Sequence, residues 1–194
     1  MTPANQQAIF DRYPEIFRDR TKPMTETCMC WGLEIGPGWL PIIDALCASI
    51  TKPYSSHCST AEDGSDEGWS YEFPQVVADQ VKEKFSGLRF YYHLEPDTDF
   101  QEKAKRFPKT ARVILDRAAA YVDGAIGLAE TLCQRTCEET GQPGKPMVRG
   151  GWWKTVCPEV AARDGFVTPE EARRQRDEWD KERAAEVAAK AEEK

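Results

Sequence analysis

The sequence predicts an α+β fold in which a small antiparallel sheet packs against one long amphipathic helix. Three features predict it: an aromatic-rich hairpin pattern over residues 81–94, a helical stripe of apolar residues after Pro108, and a glycine- and cysteine-rich segment over 137–160. At 194 residues, the chain is long enough for one domain. We expect that domain to span residues 1–165, followed by a charged helix over 168–194.

The hairpin pattern is VKEKFSGLRFYYHL, in which two aromatic-rich runs flank Ser86-Gly87. A two-residue loop containing glycine is typical of a β-hairpin, and it would place Phe85 opposite Leu88. Side chains alternate between the faces of a strand, so each face can be read from the sequence. Apart from Glu83, the predicted core face is apolar: Val81, Phe85, Leu88, Phe90, Tyr92 and Leu94. The opposite face carries the candidate ligand-binding residues Lys82, Lys84, Arg89, Tyr91 and His93.

The first half of this hairpin also fits a helix. Pro74 stands at a plausible first helical position, Val77, Val81 and Phe85 recur every four residues, and Gly87 resembles a C-terminal cap. Short apolar runs do not separate strand from helix by periodicity alone. The strand is favoured over residues 74–85, and the helix stays open.

The long helix is predicted to begin after Pro108, with Thr110 as its N-terminal cap. Its predicted buried stripe follows helical spacing over about six turns: Ile114, Ala118, Tyr121, Ala125, Leu128 and Leu132. The C-terminal helix begins at Thr168-Pro169, where a capping threonine precedes a proline and two acids. Its apolar content is thin, so we expect it to project from the body as a solvated helix.

Composition limits the classes of partner. A net charge of -7 and a pI near 5.1 disfavour general affinity for nucleic acid or an anionic membrane. The sequence has neither a membrane-spanning apolar run nor a signal-peptide pattern, so we expect a cytosolic protein without a membrane partner. In that compartment its seven cysteines are expected to be thiols or metal ligands rather than disulfides.

The segment 137–160 is typical of a zinc knuckle that has lost ligands. Cys137 and Cys157 stand where two Cys-x-x-ligand pairs would begin, but Thr140 and Val160 occupy the second positions. Structural zinc sites use four good ligands, and valine cannot serve as one. Cys133, one helical turn before Cys137, is a candidate third thiolate.

Two interpretations of this segment stay open. In one, zinc is bound by Cys133, Cys137 and Cys157, with water or His57 as the fourth ligand. In the other, which is favoured, the knuckle is a metal-free remnant in which Trp152 and Trp153 fill the space a metal would organise. No cofactor is therefore expected, with zinc as the alternative.

The sequence contains no recognisable catalytic constellation. It has two histidines, no Gly-x-Ser-x-Gly elbow, and no glycine-rich loop ending in Gly-Lys-Ser/Thr. We therefore expect a protein that acts by binding rather than an enzyme.

Three separated segments carry a resemblance to a known family: KPMTETCMCWGLEIGPGWLPIIDALC, VKEKFSGLRFYY and RTCEETGQPG…GGWWKTVCPE. They resemble a family of small proteins of tailed bacteriophages and prophages, with a Cys-Met-Cys-Trp-Gly box, an aromatic hairpin and a zinc-knuckle-like end. The chain departs from that pattern at Ile35, Thr140 and Val160, where Cys, Cys and His are expected. The resemblance implies a phage origin and action in the host cytosol, and no particular reaction.

Two functions follow as hypotheses. The first is a phage accessory protein that inhibits a host factor or antiviral defence component, or sequesters its nucleotide signal. Its partner would be a host protein or a phosphorylated small molecule held by the basic hairpin face. The second is a nucleic-acid-binding module of zinc-ribbon-like descent, using the same face with Trp152 and Trp153. The net charge opposes the second hypothesis.

Overall fold

A computed structural model describes residues 3–53, 55–58 and 69–192 and confirms the α+β fold. Its helices are α1 Pro3–Arg12, α2 Leu40–Ile50, α3 Thr98–Arg106, α4 Pro108–Cys133, α5 Pro158–Asp164 and α6 Pro169–Glu192. Its strands are β1 Leu33–Glu34, β2 Ser55–Cys58, β3 Trp69–Glu72, β4 Gln75–Lys84, β5 Gly87–Glu95, β6 Lys145–Arg149 and β7 Trp152–Val156. Among the described residues, no helix is long and apolar enough to cross a membrane.

Residues 74–85, whose sequence fits both a strand and a helix, contain strand β4, which forms the predicted hairpin with β5. The predicted loop is displaced by one residue, so each β4 residue near the loop pairs two positions away from its predicted partner, as Glu83 does with Leu88. Lys84 pairs with Gly87, so the loop is Phe85-Ser86, with φ angles of 52° and 64°. Phe85, predicted in the core, is 70% exposed.

Polar contacts of Ser86 fix this register. Its N–H donates to Glu83 Oε1 at 2.6 Å, and its carbonyl accepts a hydrogen bond from Thr155 Oγ1 at 2.8 Å. Two-residue hairpin loops of this kind need positive φ at both central positions, which glycine and asparagine adopt most readily. The glycine in the sequence therefore pointed to the wrong pair of residues, because the bond from Thr155 holds Ser86 in the loop.

The main sheet is mixed rather than purely antiparallel as predicted. Its order is β1-β4-β5, with β1 parallel to β4 through Leu33 opposite Val81. A bulge between Ala78 and Gln80 interrupts the β4–β5 ladder. The parallel strand was missed because two residues are too few to show a periodicity.

Helix α4 packs on the core through a face that shares Ile114 and Ala118 with the predicted stripe and departs from it further along the helix. It begins at Pro108 without a side-chain cap, so the cap predicted at Thr110 is wrong. Its buried residues are Ala111, Ile114, Ala118, Val122, Ile126, Ala129 and Cys133. Tyr121, Leu128 and Leu132 are instead 41%, 62% and 44% exposed. The helix has two apolar sides, and the sheet and α2 cover the side with the smaller residues.

Candidate functional site

The predicted basic face of the hairpin exists. Lys82 lies opposite Arg89 in the corrected register, and Lys84, Tyr91 and His93 share this face by alternation. The Lys82 ammonium is 5.6 Å from the centre of the Tyr91 ring, and Lys84 is 5.4 Å from that of Phe85. Such distances permit cation–π attraction. We call Lys82, Lys84, Phe85 and Tyr91 the sheet-face cluster.

Arg89 and His93 are engaged elsewhere. Arg89 Nη1 donates to the backbone carbonyl of Leu88 at 2.7 Å and lies 3.3 Å from Glu130 Oε1 on α4. His93 Nδ1 lies 2.8 Å from Asp79 Oδ1. The structure therefore leaves three of the five predicted residues, Lys82, Lys84 and Tyr91, available to a partner.

A groove of about 510 Å³ lies beside the sheet-face cluster, between β4 and the segment Met24–Cys28. Lys82 and Tyr91 line it, but so do Glu26 and Asp79. Because one cation and two carboxylates line this groove, it suits a partner with both signs of charge better than a polyphosphate.

Trp152 and Trp153 do not fill the interior of the knuckle, contrary to the prediction. They lie at the start of β7, just after a Gly150-Gly151 turn in which both φ angles are positive. Trp152 is 78% exposed and Trp153 is 39% exposed. The buried cluster of the knuckle is instead made of Cys137, Met147, Val156, Cys157, Val160, Ala161 and Phe166.

The three candidate metal ligands do not come together. Cys137 and Cys157 share the knuckle cluster with Val160, and Thr140 Oγ1 lies 3.7 Å from Cys157 Sγ. Cys133 belongs to the main core, where burial and then the nearby Glu138 and Glu130 raise its pKa to about 12. In the described part of the chain, no group of three or more His, Cys, Asp or Glu could hold a metal ion. The side chain of His57 lies outside the described residues.

The four positions of the predicted knuckle nevertheless lie close together: Cys137, Cys157 and Val160 share one buried cluster, and Thr140 contacts Cys157. Burial raises the pKa of Cys137, but hydrogen bonds from the Thr140 hydroxyl and from the N–H groups of Thr140, Cys157 and Glu139 outweigh it. The pKa of Cys137 is therefore held below its ordinary value. In the described part of the chain the knuckle does not fit a structural zinc ion, because Thr140 and Val160 leave it two good ligands where four are needed.

Two glutamates that the sequence did not indicate as a site lie where the β4–β5 hairpin meets the knuckle. They are the half-buried Glu83 and the buried Glu138. Glu138, 6% exposed, accepts a hydrogen bond from the Gly36 N–H at 2.7 Å and lies 3.8 Å from Lys154 Nζ. Burial raises the pKa of both Glu138 and Glu83, and Glu83 adds to the rise at Glu138. The sequence feature that could have indicated this glutamate pair is Glu83, the one charged residue on the otherwise apolar face of the hairpin.

Comparison with family models, curated proteins and solved structures finds no match to this chain.

Proposed function

We propose that the protein is a phage-encoded accessory protein that acts by binding and inhibits a host factor or antiviral defence component in the host cytosol. The observation that carries this proposal is the sheet-face cluster. Exposed aromatic and basic side chains on a rigid hairpin are typical of the few residues that dominate a protein–protein interface. The phage origin rests on the three sequence segments that resemble the phage family.

The groove beside the cluster favours a host protein over a phosphorylated small molecule at this face. Glu26 and Asp79 line it together with Lys82, so a ligand with several phosphates would meet two carboxylates. A protein surface can offer cations to those acids and carboxylates to the lysines. Phe85 and Tyr91 would supply the apolar contact area at the centre.

The proposal is tested by affinity purification of the tagged protein from infected host cells, followed by mass spectrometry. The test variant is Lys82→Ala/Lys84→Ala, and the control is Lys109→Ala/Arg117→Ala. The control residues are exposed on α4. Each double variant loses two positive charges, so the two differ only in where the charge is lost. We expect one host protein to be recovered with the wild type and the control, and to be lost with the test variant.

The recovered protein is then purified and its affinity measured directly, including for Phe85→Ala. Native mass spectrometry of the wild type reports whether a small molecule was carried along instead. Equal recovery by both double variants, with both folded by circular dichroism, would show that the sheet-face cluster is ordinary solvated surface.

A further inference from the structure

A second groove, of about 750 Å³, lies between the β6–β7 turn and the first turns of α6. Arg149 and Trp153 line its hairpin side, and Arg173 and Arg176 line its helix side. We call these four residues the arginine groove. It shares no residue with the groove beside the sheet-face cluster.

Arg149 is held in place at the wall of this groove. Its Nη1 donates to the backbone carbonyl of Asp164 at 2.8 Å, and its guanidinium lies 4.9 Å from the centre of the Phe166 ring. Its strand partner is Trp152, which does not line the groove; the indole that does is that of Trp153, the next residue along β7. A guanidinium fixed by stacking loses less conformational entropy when it binds an anion.

Arg173 and Arg176 add two further cations. They are three residues apart on α6 and therefore lie on one side of the helix. Both are exposed, and neither forms an ion pair with another described residue. Asp164, whose backbone carbonyl accepts the Arg149 hydrogen bond, has its carboxylate paired with Arg163 at 2.7 Å.

The charge of this groove differs from that of the sheet-face groove. No carboxylate is among its lining residues in the described part of the chain, whereas two line the other. Three arginines without a lining acid create a local positive potential on a chain of net charge -7. Guanidinium groups bind phosphate oxygens through paired hydrogen bonds, and an indole offers a flat surface on which a base can stack.

We propose that the arginine groove binds a free nucleotide carrying two or more phosphates. Arg149, Arg173 and Arg176 contact the phosphates, and Trp153 stacks on the base. This site is separate from the protein-binding face of the proposed function, so either proposal can fail without the other.

The surroundings of the groove favour a free nucleotide over a nucleic-acid strand. Along α6, Glu170 and Glu171 precede the arginines, and Asp177, Glu178 and Asp180 follow them. A strand that continued beyond the groove would bring its next phosphates towards these carboxylates. Binding of a long polyanion also gains most from a broad basic surface, which this chain lacks overall.

Isothermal titration calorimetry on the full chain, at low salt and without divalent cations, tests the proposal. The probes are ATP, pyrophosphate, adenosine and single-stranded dT10. We expect saturable binding of ATP at about one per chain, weaker binding of pyrophosphate, and none of adenosine, because the phosphates supply most of the affinity.

Variants assign the binding to the groove. Arg173→Ala/Arg176→Ala is expected to weaken ATP binding at least about tenfold, since each charge-assisted contact is strong. Arg174→Ala/Arg183→Ala removes the same charge from residues that do not line the groove, and should weaken it less than about threefold. Trp153→Ala should weaken the binding of ATP but leave that of pyrophosphate unchanged.

Three results would overturn the proposal: no ATP binding by the wild type, equal loss in the two arginine double variants, or tighter binding of dT10 than of ATP. Circular dichroism checks that each variant is folded. Should the alanine pair unfold, Arg173→Lys/Arg176→Lys replaces it, which keeps the charge and removes the planar fork. The lysine double variant is expected to bind ATP several-fold more weakly than the wild type, and unchanged affinity for ATP would contradict the proposed contacts.

Discussion

The main core and the C-terminal knuckle are both buried, but different forces hold them. The main core joins α1, α2, α4 and the sheet through large apolar residues, with Trp39, Ile43 and Leu88 fully or almost fully buried. The knuckle cluster has seven residues, two of them cysteines. Burial of apolar area scales with side-chain size, so the knuckle gains far less from it than the main core does.

Hydrogen bonds compensate for the small apolar cluster of the knuckle. The Cys137 N–H donates to the Gln142 carbonyl at 2.7 Å, and the Gly141 N–H returns a bond to the Cys137 carbonyl at 2.9 Å. The turn is thereby closed on itself as a metal-binding knuckle would be. A ligand-deficient knuckle can keep its shape in this way if the rest of the protein supports it.

That support comes from the segment before α2, which bonds directly to the knuckle. The Gly38 N–H donates to the Glu138 carbonyl at 2.7 Å, and Trp39 Nε1 donates to the Thr136 carbonyl at 2.7 Å. Gly36 and Gly38 have no side chain at this contact, so the two backbones approach closely. We infer from these contacts that the knuckle is stable only while it is docked on the main core.

The largest expected effect comes from blocking this contact. A Cβ on Gly38 would lie 2.2 Å from the Cys137 carbonyl oxygen and 2.4 Å from the Gly141 nitrogen. Both are backbone atoms that cannot move aside cheaply. We expect Gly38→Ala to lower the free energy of unfolding by about 3 kcal/mol or more, measured by urea denaturation.

Gly124→Ala is the matched control for that change. Gly124 lies within α4, and a Cβ there would meet nothing within 4 Å. Alanine is favoured over glycine inside a helix, so this variant should be up to about 1 kcal/mol more stable. If both alanine variants behaved alike, the close docking of the knuckle on the main core would be wrong.

The next effect tests the main core and the corrected hairpin register together. Leu88 is fully buried, whereas Phe85 is 70% exposed. We expect Leu88→Ala to cost about 2–5 kcal/mol, as buried leucines do, and Phe85→Ala to change stability by less than about 0.5 kcal/mol. A large loss for Phe85→Ala would restore the register in which the loop is Ser86-Gly87.

A smaller effect concerns the buried Glu138 at the junction. Because its pKa is raised in the folded protein, its proton is bound more tightly there than in the unfolded chain. Its contribution to stability is therefore fully present below its ordinary pKa and is lost as pH rises through the folded value. Burial is the main cause of the raised pKa; among the described charged side chains, Lys154 opposes the rise and Glu83 adds to it.

Glu138→Gln isolates that titration, because glutamine keeps an oxygen to accept the Gly36 N–H. Unfolding is measured by urea from pH 4 to pH 8 for both proteins. We expect the variant to become more stable relative to the wild type as pH rises across this range. A stability difference independent of pH would show that Glu138 titrates normally.

Much of the architecture was predictable because it rests on local patterns. The hairpin, the long helix after Pro108 and the helix starting at Thr168-Pro169 are all present. The last of these begins with a capping box: Thr168 Oγ1 accepts from the Glu171 N–H at 3.2 Å, and Glu171 Oε2 accepts from the Thr168 N–H at 2.9 Å. Such signals involve residues close together in the sequence.

The errors arose where distant residues decide the outcome. The loop Phe85-Ser86 depends on Thr155, which lies 69 residues beyond Ser86. The buried side of α4 depends on what packs there, since the helix offers two apolar stripes. For the candidate sites, the basic face was predicted, but the partners of Arg89 and His93 were not, and the arginine groove joins segments that no local pattern connects.

The smallest expected effect is that of treatment with a chelator, and it tests the central claim that packing and hydrogen bonds hold the knuckle without an ion. We measure zinc by elemental analysis after dialysis against a weak chelator, for the wild type and for Thr140→Cys/Val160→His. The wild type should retain well below one equivalent of zinc per chain, and its melting temperature should be the same before and after dialysis. The double variant, which places four good ligands at the converging positions, should retain about one equivalent. One equivalent of zinc retained by the wild type, with a fall in melting temperature when it is stripped, would contradict the claim.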